Sequence, residues 1–167
     1  YLFKLDDEGH PSFQPMDRGS YLDVAPLDKG ENVRREICLT LEQMGFYTER
    51  SHHESGPGQH EIDFKYGSPL EAADNFITFK SVVKTIADRS GLFASFMPKP
   101  LAQESGSGLH INLSITQEGK QSRVLEQQMT AGILNRINEI SLFLNPLVNS
   151  YERLGCFEAP RYIGWGR

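Results

Sequence analysis

The amino-acid sequence predicts an α+β fold in which one sheet is covered by helices on one face. Three long segments repeat apolar residues at helical intervals, and several shorter ones alternate apolar and polar residues at the period of a strand. Only some of the strand segments alternate with helices, so the regular crossovers of a purely parallel sheet are missing.

The chain opens on an apolar run, Tyr1-Leu2-Phe3-Lys4-Leu5, which reads as a strand stopped by the polar turn Asp6-Asp7-Glu8-Gly9. Residues 19–30 read as a long connection. Residues 28–45 predict the first helix: Asp28 and Glu31 have capping-box spacing, Val33, Ile37, Leu41 and Met44 share a face, and Gly45 supplies the stop. Strands are expected at 46–51 and 60–66. Ser68-Pro69-Leu70-Glu71 then orders a cap, an N1 proline and a capping-box glutamate. The stripe Leu70, Ala73, Ile77, Val83 and Ile86 follows until Gly91. A strand at 93–97 precedes one at 109–115, where Leu109, Ile111, Leu113 and Ile115 share one face and His110, Asn112 and Ser114 the other. That polar face suits a ligand-facing sheet surface or a plain solvated one. Residues 116–122 read as a flexible loop, and residues 124–144 as a third helix ended by Asn145-Pro146.

Composition narrows the function classes. Of 167 residues, 38% are hydrophobic and 23% charged, enough for a core and outside the range of disordered chains. The net charge of −5 and the lack of a dense Lys/Arg cluster disfavour nucleic acid as a partner. Two distant cysteines, Cys38 and Cys156, make neither a disulfide framework nor a thiolate zinc site, as expected of a cytoplasmic protein. No apolar run reaches the roughly 20 residues that span a bilayer, so no membrane association is expected. The chain begins without Met inside an apolar run and ends on the strand-like Tyr162-Ile163-Gly164-Trp165-Gly166-Arg167, which suggests a fragment of a longer chain.

The densest polar constellation is Ser51-His52-His53-Glu54-Ser55-Gly56-Pro57-Gly58-Gln59-His60-Glu61. A Gly-Pro-Gly turn between two strand ends allows Glu54 and Glu61 to aim at one point. Carboxylates suit Mg²⁺ or Mn²⁺, and imidazole shifts the preference toward Mn²⁺ or Zn²⁺. A polar surface hairpin is the plainer alternative. The helical His-Glu-x-x-His arrangement of zinc proteases is excluded by the intervening glycines and proline. Gly106-Ser107-Gly108 matches neither a phosphate-binding P-loop nor a dinucleotide fingerprint; it permits close backbone approach to a ligand, or forms a turn. Lys99, between Pro98 and Pro100, is either a cation presented to an anionic ligand or an ordinary edge-strand lysine.

Taken together, Ser51-His52-His53-Glu54, Gly58-Gln59-His60-Glu61-Ile62, Phe96-Met97-Pro98-Lys99-Pro100, Gly106-Ser107-Gly108-Leu109-His110, and Asn145-Pro146-Leu147-Val148-Asn149-Ser150-Tyr151 with Arg153-Leu154 occur in one order. This order and rough spacing resemble glutamine synthetase of the bacterial type, over essentially the whole chain. The resemblance implies that residues 1–167 are a partial catalytic domain, with the N-terminal domain and C-terminal part absent. It implies a mainly antiparallel, curved sheet with helices packed on one face.

The implied activity is the ATP-dependent ligation of ammonia to the γ-carboxylate of glutamate through γ-glutamyl phosphate, in a cytoplasmic homo-oligomeric ring with glutamate, ammonium and ATP as its ligands. Two metal sites, for Mg²⁺ or Mn²⁺, would neutralise the phosphates. By the same resemblance Glu54 and Glu61 are ligands of the first metal and His110 of the second. Asn112, Ser114 and Tyr66 contact ATP, although alternation from Glu61 puts Tyr66 on the opposite strand face. Gly106 and Arg153 bind the amino-acid substrate, Glu158 closes over the site and takes a proton from ammonium, and Tyr21 lies near the ammonium pocket. Lys99 belongs to a family motif but is assigned no contact.

Some positions depart from the family pattern. Ser105 stands where Asn is common, Leu109 stands for the usual Met, and the segment Leu154-Gly155-Cys156-Phe157-Glu158 is one residue shorter than the commonest form. A γ-glutamyl ligase for another amine, such as a polyamine, is therefore the alternative, with a non-catalytic metal- or nucleotide-binding module behind it. Glu158 and Tyr21 favour ammonia. The isolated chain is expected to have little or no ligase activity.

Overall fold

Strand β1 (Leu2–Leu5) occupies the centre of a three-stranded antiparallel sheet. It pairs with β2 (Pro11–Pro15) on one side and with β5 (Leu92–Ala94) on the other, in the register Leu2 to Ala94, Phe3 to Phe93 and Lys4 to Leu92. The computed structural model describes residues 1–154. The polar turn after β1 closes as expected, with Asp6 Oδ1 accepting the backbone N–H groups of Glu8 and His10. Strand β2 was not expected. Prolines at both of its ends disguise it, and they are tolerated because it is an edge strand.

Helix α1 (Glu31–Gln43) buries Val33, Ile37 and Leu41 along the predicted stripe. Its start differs from expectation: Gly30 is the N-cap and makes no side-chain cap bond. Asp28 is instead held by Arg34 within the same helix, at 2.7 Å between Oδ2 and Nη2. A buried ion pair has replaced the capping box. Helix α2 (Pro69–Arg89) begins as the sequence dictates, with Ser68 and Glu71 forming a reciprocal capping box around an N1 proline. Only its C-terminal half reaches the core, through Val83, Ile86 and Ala87, while Leu70 and Ile77 are exposed.

The two helices pack with Leu2 and Ala94 of the first sheet, and Ile62, Phe79, Leu92 and Phe96 are among the partly buried residues packed against the cluster. Ile62 belongs to a second sheet, the antiparallel hairpin of β3 (Thr48–His53) and β4 (His60–Phe64). Its register sets His52 opposite Glu61 and His53 opposite His60. A third, short hairpin joins β6 (Thr116–Gln117) and β7 (Lys120–Gln121) inside the segment read as a loop, with Glu118 and Gly119 at φ of 51° and 76°. The strands are therefore antiparallel as predicted, but among the described residues they form three small sheets rather than one.

Two further elements differ from the sequence reading. The third helix is broken into α3 (Arg123–Asn135) and α4 (Ile137–Leu144), because Arg136 leaves helical geometry at φ −111° and ψ 10°. Apolar spacing continues across one irregular residue and so does not register the break. The strand expected at 109–115 is not formed: Leu109, Ile111 and Leu113 are 60, 67 and 56% exposed and the backbone joins no ladder among the described residues. Alternation marks faces, but a strand exists only where a partner strand takes its N–H and C=O groups. A short helix, α5 (Val148–Arg153), follows the Asn145-Pro146 break.

Candidate functional site

The β3–β4 turn is the centre of the site. Glu54 leaves β3 with its N–H donated to the Gln59 carbonyl at 2.8 Å, and Gln59 N–H closes on the Gly56 carbonyl at 3.0 Å. Gly58 turns the chain at φ +66°, where a Cβ would stand 2.7 Å from the Leu2 carbonyl oxygen, so only glycine fits. Glu61 then enters β4 opposite His52. One ligand atom from each of His52, Glu54 and Glu61 lies within 4.8 Å of the other two, and His52 Nε2 is 3.2 Å from Glu54 Oε1.

The electrostatics of this group favour a cation. Burial pushes the Glu61 carboxyl up from 4.5 to about 7, helped by a hydrogen bond and negative charge from Asp63 and by the Glu54 carboxylate, and opposed by His52. Crowding of this kind around the Glu61 carboxyl is relieved by a hard divalent ion, which removes the repulsion and holds the group ionised. Glu54 and Glu61 thus fit the metal that the sequence reading assigns to them. His52 adds an imidazole, which turns the preference toward Mn²⁺.

Three further expected residues border this group or its turn. Tyr21 stands edge-on to His52, with ring centroids 5.6 Å apart. Gln59 donates its side-chain amide to the Gly106 carbonyl at 3.0 Å, which ties the turn to the glycine loop. Gly106 in turn packs on Arg153: a Cβ there would lie 2.5 Å from Arg153 Cγ and 2.9 Å from the Pro98 carbonyl oxygen. Lys99 is buried, not an exposed edge lysine; its N–H donates to Asn149 Oδ1 at 2.7 Å, Asn149 returns a bond to the Lys99 carbonyl at 3.0 Å, and Lys99 Nζ donates to the Glu104 carbonyl. The Lys99 backbone thereby docks α5, the helix that carries Arg153.

Other expected residues stand apart. His110, Asn112 and Ser114 are exposed on the irregular segment, and His110 belongs to neither of the metal-competent groups found among the described residues. Tyr66 lies past the end of β4 and is 84% exposed, with Lys65 Nζ 6.0 Å from its ring centroid. Glu158 falls outside the described residues.

A second, buried group comprises Asp17, Asp28, His53 and His60. Arg34 donates to both oxygens of Asp28, at 3.1 and 2.7 Å, and to His60 Nδ1 at 2.8 Å, so a guanidinium already supplies the positive charge. Burial, then the charges of Arg34 and His53, hold the His60 imidazole at about 3, neutral at physiological pH. This group forms an internal polar network, with the Arg34 guanidinium on Asp28 and His60 and the His53 ring on Asp17. Asp17 carried no signal in the sequence beyond its residue type, Gln59 was visible only as part of the motif Gly58-Gln59-His60-Glu61-Ile62 with no role assigned, and His52 was visible as a neighbour of Glu54.

The whole chain, residues 1–167, matches the family described as glutamine synthetase, catalytic domain. The chain belongs to the glutamine synthetase family. It is 49% identical over 176 residues to the glutamine synthetase of Clostridium saccharobutylicum and 50% identical over 177 residues to that of Staphylococcus aureus strain MW2. In both cases 99% of this chain is covered, and the chain spans 40% of the relative's length. Among solved structures, a Plasmodium falciparum glutamine synthetase superimposes with a TM-score of 0.78 at 30% identity, covering 86% of this chain and 30% of that one. A GmaS structure without ligand gives 0.79 at 31%, and a GmaS–ADP complex 0.78 at 30%, covering 92% and 93% of this chain and 39% of theirs. The α+β, antiparallel architecture read from the sequence is that of this family's catalytic domain.

Proposed function

We propose that the protein to which these residues belong is a glutamate–ammonia ligase, and that residues 1–167 supply much of its metal and amino-acid sites. The observation that carries this reading is the convergence of His52, Glu54 and Glu61 on one point, next to Tyr21 and joined through Gln59 to Gly106 and Arg153. Identity near 50% to two bacterial glutamine synthetases supports ammonia as the amine. The ADP complex of a solved relative supports a nucleotide co-substrate.

In this reading Glu54 and Glu61, with His52 beside them, hold Mg²⁺ or Mn²⁺. Such an ion, when bound, neutralises the negative charge that gathers on a phosphoryl group and the γ-carboxylate during transfer. His110 is the proposed ligand of a second ion, and Asn112, Ser114 and Tyr66 are the proposed nucleotide contacts. The Gly106 loop offers backbone groups to the substrate amino acid, and Arg153, packed against it, pairs with a substrate carboxylate in a charge-assisted bond. Tyr21 borders the amine pocket, and Glu158 is the proposed group that takes a proton from bound ammonium before the neutral amine attacks. Homo-oligomeric ring assembly and a cytoplasmic location belong to the same proposal.

The deciding experiment measures ATP-dependent phosphate release by the full-length protein with glutamate, comparing ammonium with a panel of amines and polyamines. Turnover with ammonium alone is the expected result. Turnover only with larger amines would keep the acyl-phosphate chemistry and reassign the amine; no turnover with any amine would overturn the reading.

A further inference from the structure

We propose that the buried pair Asp17–His53 is a positioning device for the Glu54–Glu61 site, which holds the Glu54 main chain, the turn that returns to Glu61 and the Tyr21 loop in one register. This rests on the reading of Glu54 and Glu61 as metal ligands. Neither Asp17 nor His53 belongs to the ligand group itself, so both act through other residues.

His53 is fully buried and engages three segments at once. Its Nδ1 donates to the Glu54 carbonyl at 2.6 Å, its Nε2 bonds Asp17 Oδ1 at 2.9 Å, and its own carbonyl accepts the Leu22 N–H at 3.0 Å. A backbone carbonyl has no proton to give, so Nδ1 is the donor. Burial alone would raise the Asp17 carboxyl, but bonds from His53 and from the N–H groups of Lys29 and Gly58 outweigh it and hold the group below its usual range.

Asp17 gathers the remaining threads. It accepts the Gly58 N–H at 2.9 Å, the Lys29 N–H at 3.0 Å and the Gly19 N–H at 3.3 Å. Gly58 lies in the turn between Glu54 and Glu61, and residues 19–29 form the loop that brings Tyr21 to His52. An apolar side chain of similar volume at position 53 would fill the same space. It would leave the Glu54 carbonyl without its donor and Asp17, which carries the Gly58 N–H, without its fixed partner, and the two carboxylates would lose their common aim. Groups that orient metal ligands in this way typically account for tenfold to a hundredfold in metal affinity.

Two substitutions separate the two ring nitrogens. His53→Asn puts an amide nitrogen where Nδ1 was, keeping the bond to the Glu54 carbonyl and giving up Asp17. His53→Gln puts it where Nε2 was, keeping Asp17 and giving up the Glu54 carbonyl. In the full-length protein, with Mn²⁺ as the probe in calorimetric titration, His53→Gln is expected to weaken binding about tenfold or more, and His53→Asn distinctly less. Melting temperatures should order the other way, because His53→Asn strands the buried Asp17. Mn²⁺ affinity equal to wild type in both variants, or losses that simply follow the melting temperatures, would overturn the positioning role. So would failure of both variants to fold, because the pair would then serve the fold as a whole. A wild-type protein that neither binds Mn²⁺ nor turns over would instead overturn the metal-site reading beneath it.

Discussion

The side-chain amide of Gln59 joins the two halves of the site, donating at 3.0 Å to the Gly106 carbonyl while its oxygen accepts the Gly56 N–H at 2.9 Å. One residue thus braces the turn between Glu54 and Glu61 and also anchors the glycine loop. Gln59→Glu keeps the acceptor and removes the donor. A hydrogen bond of this kind contributes about 0.5–1.5 kcal/mol, so KM for glutamate should rise by roughly two- to tenfold in the full-length protein. Steady-state kinetics of Gln59→Glu against wild type check this, and an unchanged KM would sever the proposed link.

Gly106 has no room for a methyl group. A Cβ would meet Arg153 Cγ at 2.5 Å and the backbone oxygen of Pro98 at 2.9 Å, and the second neighbour is main chain that cannot rotate away. Gly106→Ala should displace Arg153, cost about 1–3 kcal/mol as overpacking does, and raise KM for glutamate more than KM for ATP. Comparing the two KM values together with a thermal melt tests the assignment.

If Glu61 ligates a metal as proposed, its raised carboxyl makes that binding pH-dependent. Its folded value of about 7 lies above the ordinary 4.5, so without metal the folded protein retains a proton that the unfolded chain has lost. That contribution to stability is present below the ordinary value and fades as pH rises through about 7. A divalent ion competes with the same proton, so the gain in melting temperature on adding Mn²⁺ should grow from pH 5.5 to 8. Glu61→Gln should flatten this dependence, and Glu54→Ala should weaken Mn²⁺ binding by about tenfold or more.

The Asp28–Arg34 pair, with side chains only 2% and 7% exposed, lies outside the His52–Glu54–Glu61 group and bears on stability. Arg34→Met leaves Asp28 buried and unpaired and should cost about 3–5 kcal/mol in denaturant unfolding. Although burial acts to raise the Asp28 carboxyl, bonds from Arg34 and the Gly30 N–H bring it below its ordinary 3.8. Its contribution is therefore present above that value and is lost as pH falls through the lower folded one. Acid titration of wild type and Asp28→Asn should diverge in that window.

Much of this was legible in the residues themselves. Ser68, Pro69 and Glu71 start α2 through contacts within four residues, and the Gly-Pro-Gly turn makes a hairpin of β3 and β4, so Glu54 and Glu61 could be paired before any coordinates. The ordered motifs led to the family. Local chemistry and the strand and helix periods act over a few residues and leave their mark in the sequence. Tertiary structure decided the rest. That Asp28 pairs with Arg34 instead of capping α1, that Asp17 stands behind His53, and that Gln59 reaches Gly106 depend on partners 6, 36 and 47 positions away. The strand expected at 109–115 likewise turned on pairing, because its alternation defined a face but no strand among the described residues makes a ladder with it. Burial chose those partners, since a polar group removed from water takes whichever complementary atom the packed chain brings within reach.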